Sequence, residues 1–360
     1  MKVVIINNHI KDFLGGSETQ CNLISEHLTN NNITVIYYAI DGSNDNKFTS
    51  NYNIKNTPIN FRNIYANLKI DKPDIIYWRF GKTKLLNSIL ISKLLKVKFI
   101  FAVSGPIDYT ILKKFNFRRK NLIKKILHYI YIDYIVLLNI YNHIGFYLCD
   151  AVIYQLENQF NTIPCKSFYL IHNSCQDKTA NFNWKNKYVV WVSNIKANKN
   201  PHYFIDLAKE YINSGYDFLM VGKVQDRKFE YLLGGKQGMP KNFYYIGEKS
   251  SAETNSIIEK SAFLVHTCNP EGFPNVFIQA WNFGKPTVSL FYDPDSFIEK
   301  NKLGYFSKNY KTLVKDTGTL LSDDSQRENL GKNALLFSKS KFDITKNIHN
   351  LITVFNKTLH

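Results

Sequence analysis

Cysteine is scarce in this chain of 360 residues. The five present, Cys21, Cys149, Cys165, Cys175 and Cys268, are odd in number, scattered, and form no CxxC pair. That pattern argues against a disulfide framework or a cysteine-based zinc site and fits a reducing cytoplasm. Histidines at 128, 143, 172 and 266 are equally isolated, so no metal is expected. Long hydrophobic runs are missing too. The one stretch that invites comparison with a membrane span, Ile126–Leu148, contains Asp133, Asn139, Asn142 and His143, which make insertion costly. A buried crossover helix is expected there. The opening MKVVIINN runs straight into a strand pattern, so no signal peptide is expected. Acidic residues are few: 29 Asp and Glu stand against 46 Lys and Arg, a net charge of +17.

The basic excess is localised. Lys, Asn, Ile, Phe and Tyr abound throughout, as an AT-rich coding sequence would produce, but such a bias would spread charge evenly. Residues 55–125 hold 17 Lys and Arg against 3 Asp and Glu, a net of +14, which leaves +3 for the other 289 residues. A basic surface on the N-terminal half follows. Within it, Lys113–Lys125 (KKFNFRRKNLIKK) interleaves seven basic residues with Phe115, Phe117, Leu122 and Ile123. That composition suits the surface of an anionic membrane, and equally a solvated helix face with a few core contacts. The block also admits a nucleic-acid binder, with 23 Tyr and 26 Phe as stacking groups. Yet no nucleic-acid module is recognisable, and the aromatics follow strand and helix periods, so nucleic acid is not an expected partner.

An apolar content of 44% with 21% charged residues is that of a globular protein, and the length allows two domains. Strand and helix patterns alternate from the start, which predicts an α/β protein with parallel sheets. Strand-like runs at Lys2–Asn7, Thr34–Ala39, Asp74–Trp78, Lys98–Val103 and Ala151–Gln155 enclose helical stretches at Ser17–Asn30, Lys82–Leu95 and Arg118–Phe146. A second series runs through Tyr188–Val192, Phe218–Val221, Phe243–Ile246, Ala262–His266 and Pro286–Leu290. Its helices are expected at Pro201–Asn213, Ala252–Lys260 and Asn275–Phe283. The division predicted is a Rossmann-like domain over 1–173, a linker over 174–187, and a second Rossmann-like domain over 188–341. A C-terminal helix over 342–360 would cap the second sheet or pack back on the first domain. Ligands of such sheets bind outside the carboxyl ends of the strands, so a central cleft is expected.

The most informative segment is Pro270–Pro286, PEGFPNVFIQAWNFGKP. A loop carboxylate, Glu271, precedes a Gly and a Pro that lead into a short apolar helix, which Gly284 and Pro286 end. This layout aims backbone N–H groups and a helix dipole at one point with a carboxylate beside it, as an anionic, hydroxyl-rich ligand requires. A nucleotide-sugar meets both halves of that description.

Glu271-Gly272-Phe273-Pro274-Asn275-Val276, then Gln279-Ala280-Trp281 and Gly284-Lys285-Pro286, resembles the donor-site signature of family 4 (group 1) retaining glycosyltransferases of the GT-B fold. The likeness extends to Gly15-Gly16-Ser17-Glu18, to Cys149–Ile153, to Ile171-His172-Asn173-Ser174 and to Val192–Asn200. It implies two Rossmann-like domains, an acceptor-side one over 1–173 and a nucleotide-sugar one over 188–341, and a hexosyl transfer from a nucleotide-diphospho-sugar, a UDP-sugar favoured, to a hydroxyl acceptor. It also implies assembly of surface polysaccharide or lipopolysaccharide on a glycan or lipid-linked acceptor. Such an enzyme is expected to be cytoplasmic and peripheral at the inner face of the plasma membrane, held there by the basic 55–125 region, with no cofactor.

By this resemblance Glu271 faces the donor sugar, where a carboxylate accepts hydroxyls and stabilises positive charge at the anomeric carbon. Lys199 neutralises the leaving diphosphate. Gly272, Phe273, Asn275 and Val276 complete the donor loop and helix start, although the rings of Phe273 and Phe277 read as core. Gln279 stands where the family has a second Glu, and Asn194 where it has an Arg. Lys196 lies close enough to compensate. Gly15 and Gly16 border donor phosphate and acceptor, with Ser17 as a helix cap, while His9 and Glu18 read as structural. In the loop Val103–Asp108 a family histidine is missing, which leaves Ser104 and Asp108 as acceptor-side candidates with Arg79, and Asp108 also reads as a turn residue. A nucleotide-sugar epimerase and a GT-B protein weakened by Asn194 and Gln279 are the alternatives within the fold.

Overall fold

The computed structural model describes residues 1–13, 15–43, 48–82, 84–109, 136–160, 162–234 and 238–360. The basic segment Lys113–Lys125 and most of the helix expected over Arg118–Phe146 lie outside the described residues. The chain divides into two compact units, Met1–Asn173 with Thr345–His360, and Ser174–Ile344.

The first unit is built on strands β1 (Lys2–Asn7), β2 (Thr34–Ile40), β3 (Asn53–Thr57), β4 (Ile75–Trp78), β5 (Lys98–Ala102), β6 (Ala151–Tyr154) and β7 (Phe168–Leu170). They form one parallel sheet in the order β3-β2-β1-β4-β5-β6-β7. Parallel strands covered on both faces read as unbroken apolar runs, and Val3–Ile6, Tyr37–Ile40 and Phe99–Phe101 are wholly buried. The strand order reverses between β1 and β4, so the loops that leave their carboxyl ends meet at the sheet's switch point. Helix Gly16–Asn30 follows β1. The C-terminal helix Ile344–Leu359 buries Ile348, Leu351, Val354 and Phe355 at helical spacing, and the Phe355 ring meets Tyr77 of β4 edge-on at 6.2 Å.

The second unit carries β8 (Tyr188–Val192), β9 (Asp217–Val221), β10 (Phe243–Tyr245), β11 (Leu264–His266), β12 (Thr287–Ser289) and β13 (Gly304–Phe306). All pair in parallel, in the order β10-β9-β8-β11-β12-β13, and the reversal falls between β8 and β11. Its core gathers Trp191, Phe204, Phe218, Met220, Phe263 and Leu290. Gly222, just past β9 with φ +142°, lies where any side chain would strike the Ser193 carbonyl, so the carboxyl ends of β8 and β9 can close on each other. The polar stretch 174–187 has no helix or strand but runs along this unit. Asn255 donates to the carbonyls of Gln176 and Lys178, Ser256 exchanges hydrogen bonds with Ala180, and Trp184 Nε1 donates to Asp217 at 2.7 Å. Among the described residues, no helix is long and apolar enough to cross a membrane.

Candidate active site

Two loops leave the carboxyl ends of β8 and β11, on either side of the second sheet's reversal. The first carries Asn194, Lys196 and Lys199, and the second carries Glu271. A short 3-10 turn, Ala197–Lys199, is closed by the Lys199 amide bonding to the Lys196 carbonyl at 3.0 Å. Asn200, at φ 50°, then turns the chain into helix Pro201–Glu210. One buried hydroxyl fixes this turn to the other loop. Thr267 Oγ1 accepts from Trp191 Nε1 at 2.9 Å and reaches the carbonyls of Lys199 at 2.8 Å and Asn200 at 3.1 Å. Asn200 Nδ2 returns a bond to the Thr267 carbonyl, and the Asn269 amide bonds to the Asn198 carbonyl, both at 3.1 Å.

The consequence is an ion pair between Lys199 Nζ and Glu271 Oε2. Lys199 is 8% exposed, so its charge is compensated where solvent does little. The other carboxylate oxygen, Oε1, lies 3.5 Å from Nε2 of the buried His266. Burial alone would raise the Glu271 pKa, but the His266 ring and the Lys199 charge outweigh it and hold the carboxyl at about 2. Burial would likewise lower His266, yet Cys268 and Glu271 bring it up to about 9. In the sequence His266 stands as an isolated histidine. In the structure His266, Cys268 and Glu271 present ligand atoms within 4.8 Å of one another. The spacing H-x-C-x-x-E, spread over a strand end and a loop, hid this.

Helix Asn275–Asn282 begins four residues past Glu271, and no side chain caps it. With Pro274 before it, its first-turn N–H groups and positive dipole end stand next to the carboxylate loop. Tyr292 Oη donates to the Gly272 carbonyl at 3.0 Å and anchors that loop, a contact that the sequence did not signal. The ring of Phe273 is core, as its sequence reading had it. It is buried among Trp281, Phe297 and Phe342, so only its backbone is left to face a ligand. Phe277 is core, packed edge-on against His266 at 4.6 Å. Gln279 donates from Nε2 to Asn255 Oδ1 at 2.9 Å, which ties this helix to Ser251–Lys260.

The remaining expected residues lie in the first unit. Gly15 precedes helix Gly16–Asn30 as its extended cap residue. Ser17 is not the cap expected: its hydroxyl accepts from Asn7 Nδ2 at 2.9 Å and points to the Arg79 carbonyl at 3.4 Å, which links the loops after β1 and β4. Arg79 is buried, with Nη2 donating to Asn173 Oδ1 at 2.8 Å. Burial raises the Glu18 pKa against its bond from Asn8 and the Arg79 charge. Ser104 and Asp108 spend their polar groups on each other. Asp108 Oδ2 accepts from the Ser104 amide at 2.6 Å, the Ser104 hydroxyl at 2.7 Å and the Gly105 amide at 3.1 Å. That is the turn role, as a helix-start carboxylate. His9 is structural: its Nε2 pairs with Tyr52 Oη at 2.8 Å, and burial with the nearby Lys11 lowers its pKa to about 4.

Residues 175–337 match the family model of "Glycosyl transferases group 1". No curated protein matches the chain by sequence. Among solved structures, HepE of Anabaena in complex with UDP aligns at TM-score 0.75 and 14% identity, over 99% of this chain and 100% of that one. A sucrose-phosphate synthase of Thermosynechococcus elongatus aligns at 0.77 and 12%, over 99% and 98%. WaaG, described as a glycosyltransferase involved in lipopolysaccharide biosynthesis, aligns at 0.70 and 11%, over 99% of each chain. At such identities the likeness is one of fold, and the fold is GT-B, as the sequence led us to expect. The resemblance to group 1 glycosyltransferases is shown over the second unit, where the match covers both Lys199 and Glu271.

Proposed function

We propose that this chain, GT-B in fold and matching group 1 glycosyl transferases over its second unit, moves a sugar from a nucleotide-diphospho-sugar to a hydroxyl with retention at the anomeric carbon. The observation that carries the reading is the Lys199–Glu271 pair beside an uncapped helix start, at the switch point between β8 and β11. A cation, a row of backbone N–H groups and a carboxylate are the partners that a diphosphate and a sugar need.

In this account the diphosphate lies against the first turn of Asn275–Asn282 and takes the Lys199 ammonium as its counter-ion. Glu271, released from Lys199, accepts hydroxyls of the sugar. Its negative charge then favours the positive charge that grows at the anomeric carbon as the bond to the phosphate oxygen breaks. The electron pair leaves with the diphosphate. The acceptor oxygen bonds to the carbon on the same face, and its proton passes to the departing phosphate. No side-chain base is required, which agrees with a Ser104–Asp108 pair already engaged with itself. Lys196 is a second cation of the same turn.

UDP is favoured as the nucleotide because the HepE structures hold UDP and UDP-glucose. Assembly of surface polysaccharide or lipopolysaccharide on a lipid-linked acceptor draws support from the likeness to WaaG. A cytoplasmic protein peripheral at the inner membrane face draws support from the basic 55–125 block and from an apolar surface. Leu137, Ile140, Ile144 and Tyr147 of the first unit are exposed on the described residues 136–148. A weakened enzyme is the second reading, favoured by the engagement of Gln279 with Asn255. Thermal unfolding with UDP, GDP and ADP tests the donor site. One diphosphate should raise the midpoint by an amount equivalent to about 2.7 kcal/mol at 100 times its Kd, and a protein that responds to none would refute the donor site.

A further inference from the structure

We infer that His266, Cys268 and Glu271 form a binding site for a thiophilic divalent cation of the zinc class, which inhibits the protein and takes no part in its reaction. The ligand atoms lie within 4.8 Å of one another, and His266 Nε2 and Glu271 Oε1 are 3.5 Å apart. Tetrahedral zinc bonded to nitrogen at ~2.0 Å and sulfur at ~2.3 Å sets its ligands about 3.5 Å apart. The His–Glu edge of the site therefore has the required length already, and Cys268 needs a displacement of about an ångström to complete it.

The histidine is also turned for the task. Ser289 Oγ donates its proton to the Tyr292 carbonyl at 2.5 Å, so it can only accept from His266, whose Nδ1 lies 3.3 Å away. That assigns the Nδ1–H to Ser289 and directs Nε2 toward Glu271, where this buried atom makes no hydrogen bond. A far-side N–H held by an acceptor is how metal-binding histidines are oriented, and here the Ser289 hydroxyl takes that place. Phe277 packs against the ring and restrains it. Lys199 occupies only Oε2, so Oε1 is available without breaking that ion pair.

A sulfur, an imidazole nitrogen and one carboxylate select zinc, cadmium or cobalt over magnesium and calcium. On binding, the metal replaces protons on Cys268 Sγ and His266 Nε2, which pass to solvent, and its fourth position takes water. The site stands on geometry alone. Inhibition, which rests on the proposed reaction, follows because the cation holds the carboxylate needed by the donor sugar.

Cobalt titration of the full chain, in the absence of any nucleotide, tests the site separately from the reaction. The expected result is one equivalent bound, with visible bands of a tetrahedral centre and a thiolate charge-transfer band that zinc abolishes. Cys268→Ser should lose the charge-transfer band, and both it and His266→Gln should bind at least ~10-fold more weakly. Wild-type protein without these bands would overturn the inference, with no variant needed. So would variants that bind cobalt as the wild type does. With the site present, zinc should suppress donor turnover and a chelator restore it. Turnover indifferent to saturating zinc would remove the inhibition and leave the site.

Discussion

Lys199 and Glu271 stand 72 positions apart in sequence, yet they form an ion pair across the reversal of the second sheet. Each belongs to a loop at the carboxyl end of a central strand, and the two loops are joined by Thr267. The pair is thus a consequence of strand order. A diphosphate would compete with Glu271 for Lys199 and leave the carboxylate to the sugar.

Thr267→Val tests that joint. The exchange keeps the shape but removes the hydroxyl that serves Trp191, Lys199 and Asn200. Stability should fall by about 1–3 kcal/mol, because the buried indole N–H is left without its acceptor. The Kd for the nucleotide diphosphate should rise as the Lys199 turn loosens. Chemical denaturation and calorimetric binding measure the two effects.

Gln279→Glu restores the acidic residue that the family resemblance leads one to expect, and it should cost stability here. Glu cannot donate to Asn255 Oδ1, and Asn255 cannot rotate its amide without giving up the Gln176 and Lys178 carbonyls. A loss of about 1–3 kcal/mol is expected in denaturant unfolding. Any gain in affinity for the nucleotide should appear only alongside that loss.

His9 makes the first unit sensitive to acid. Its folded pKa of about 4 lies below the ordinary 6.5, so the unfolded chain binds the proton more readily. Its contribution is fully present above pH 6.5 and is lost as pH falls toward 4. The shift corresponds to roughly 3 kcal/mol. Unfolding midpoints between pH 7.5 and 4.5 should decline less steeply in His9→Gln than in the wild type.

Most strands were legible because parallel, doubly covered strands are continuous apolar runs. Three at the sheet edges were not: β3 is Asn-Ile-Lys-Asn-Thr, and β7 and β13 have three residues each. Helix Asp324–Lys341 also escaped, since its buried side is Leu330, Gly331, Ala334 and Ser338, too small and too polar for an apolar stripe. In the site, the residue types and order around Glu271 pointed to its loop and helix. What could not be read was which distant group meets which. The partners of Glu271, Gln279 and Ser17 are fixed by sheet order and loop packing, so the Thr267 joint and the grouping of His266 with Cys268 emerge only in three dimensions.

The most direct test of the donor site is the release of nucleoside diphosphate from its sugar, measured with Glu271→Gln and Lys199→Met beside the wild type. Glu271→Gln should still bind the diphosphate but lose turnover by about 10²-fold or more, since it removes charge from the developing cation. Lys199→Met should weaken diphosphate binding and turnover together. Full donor turnover in both variants would contradict the assignment.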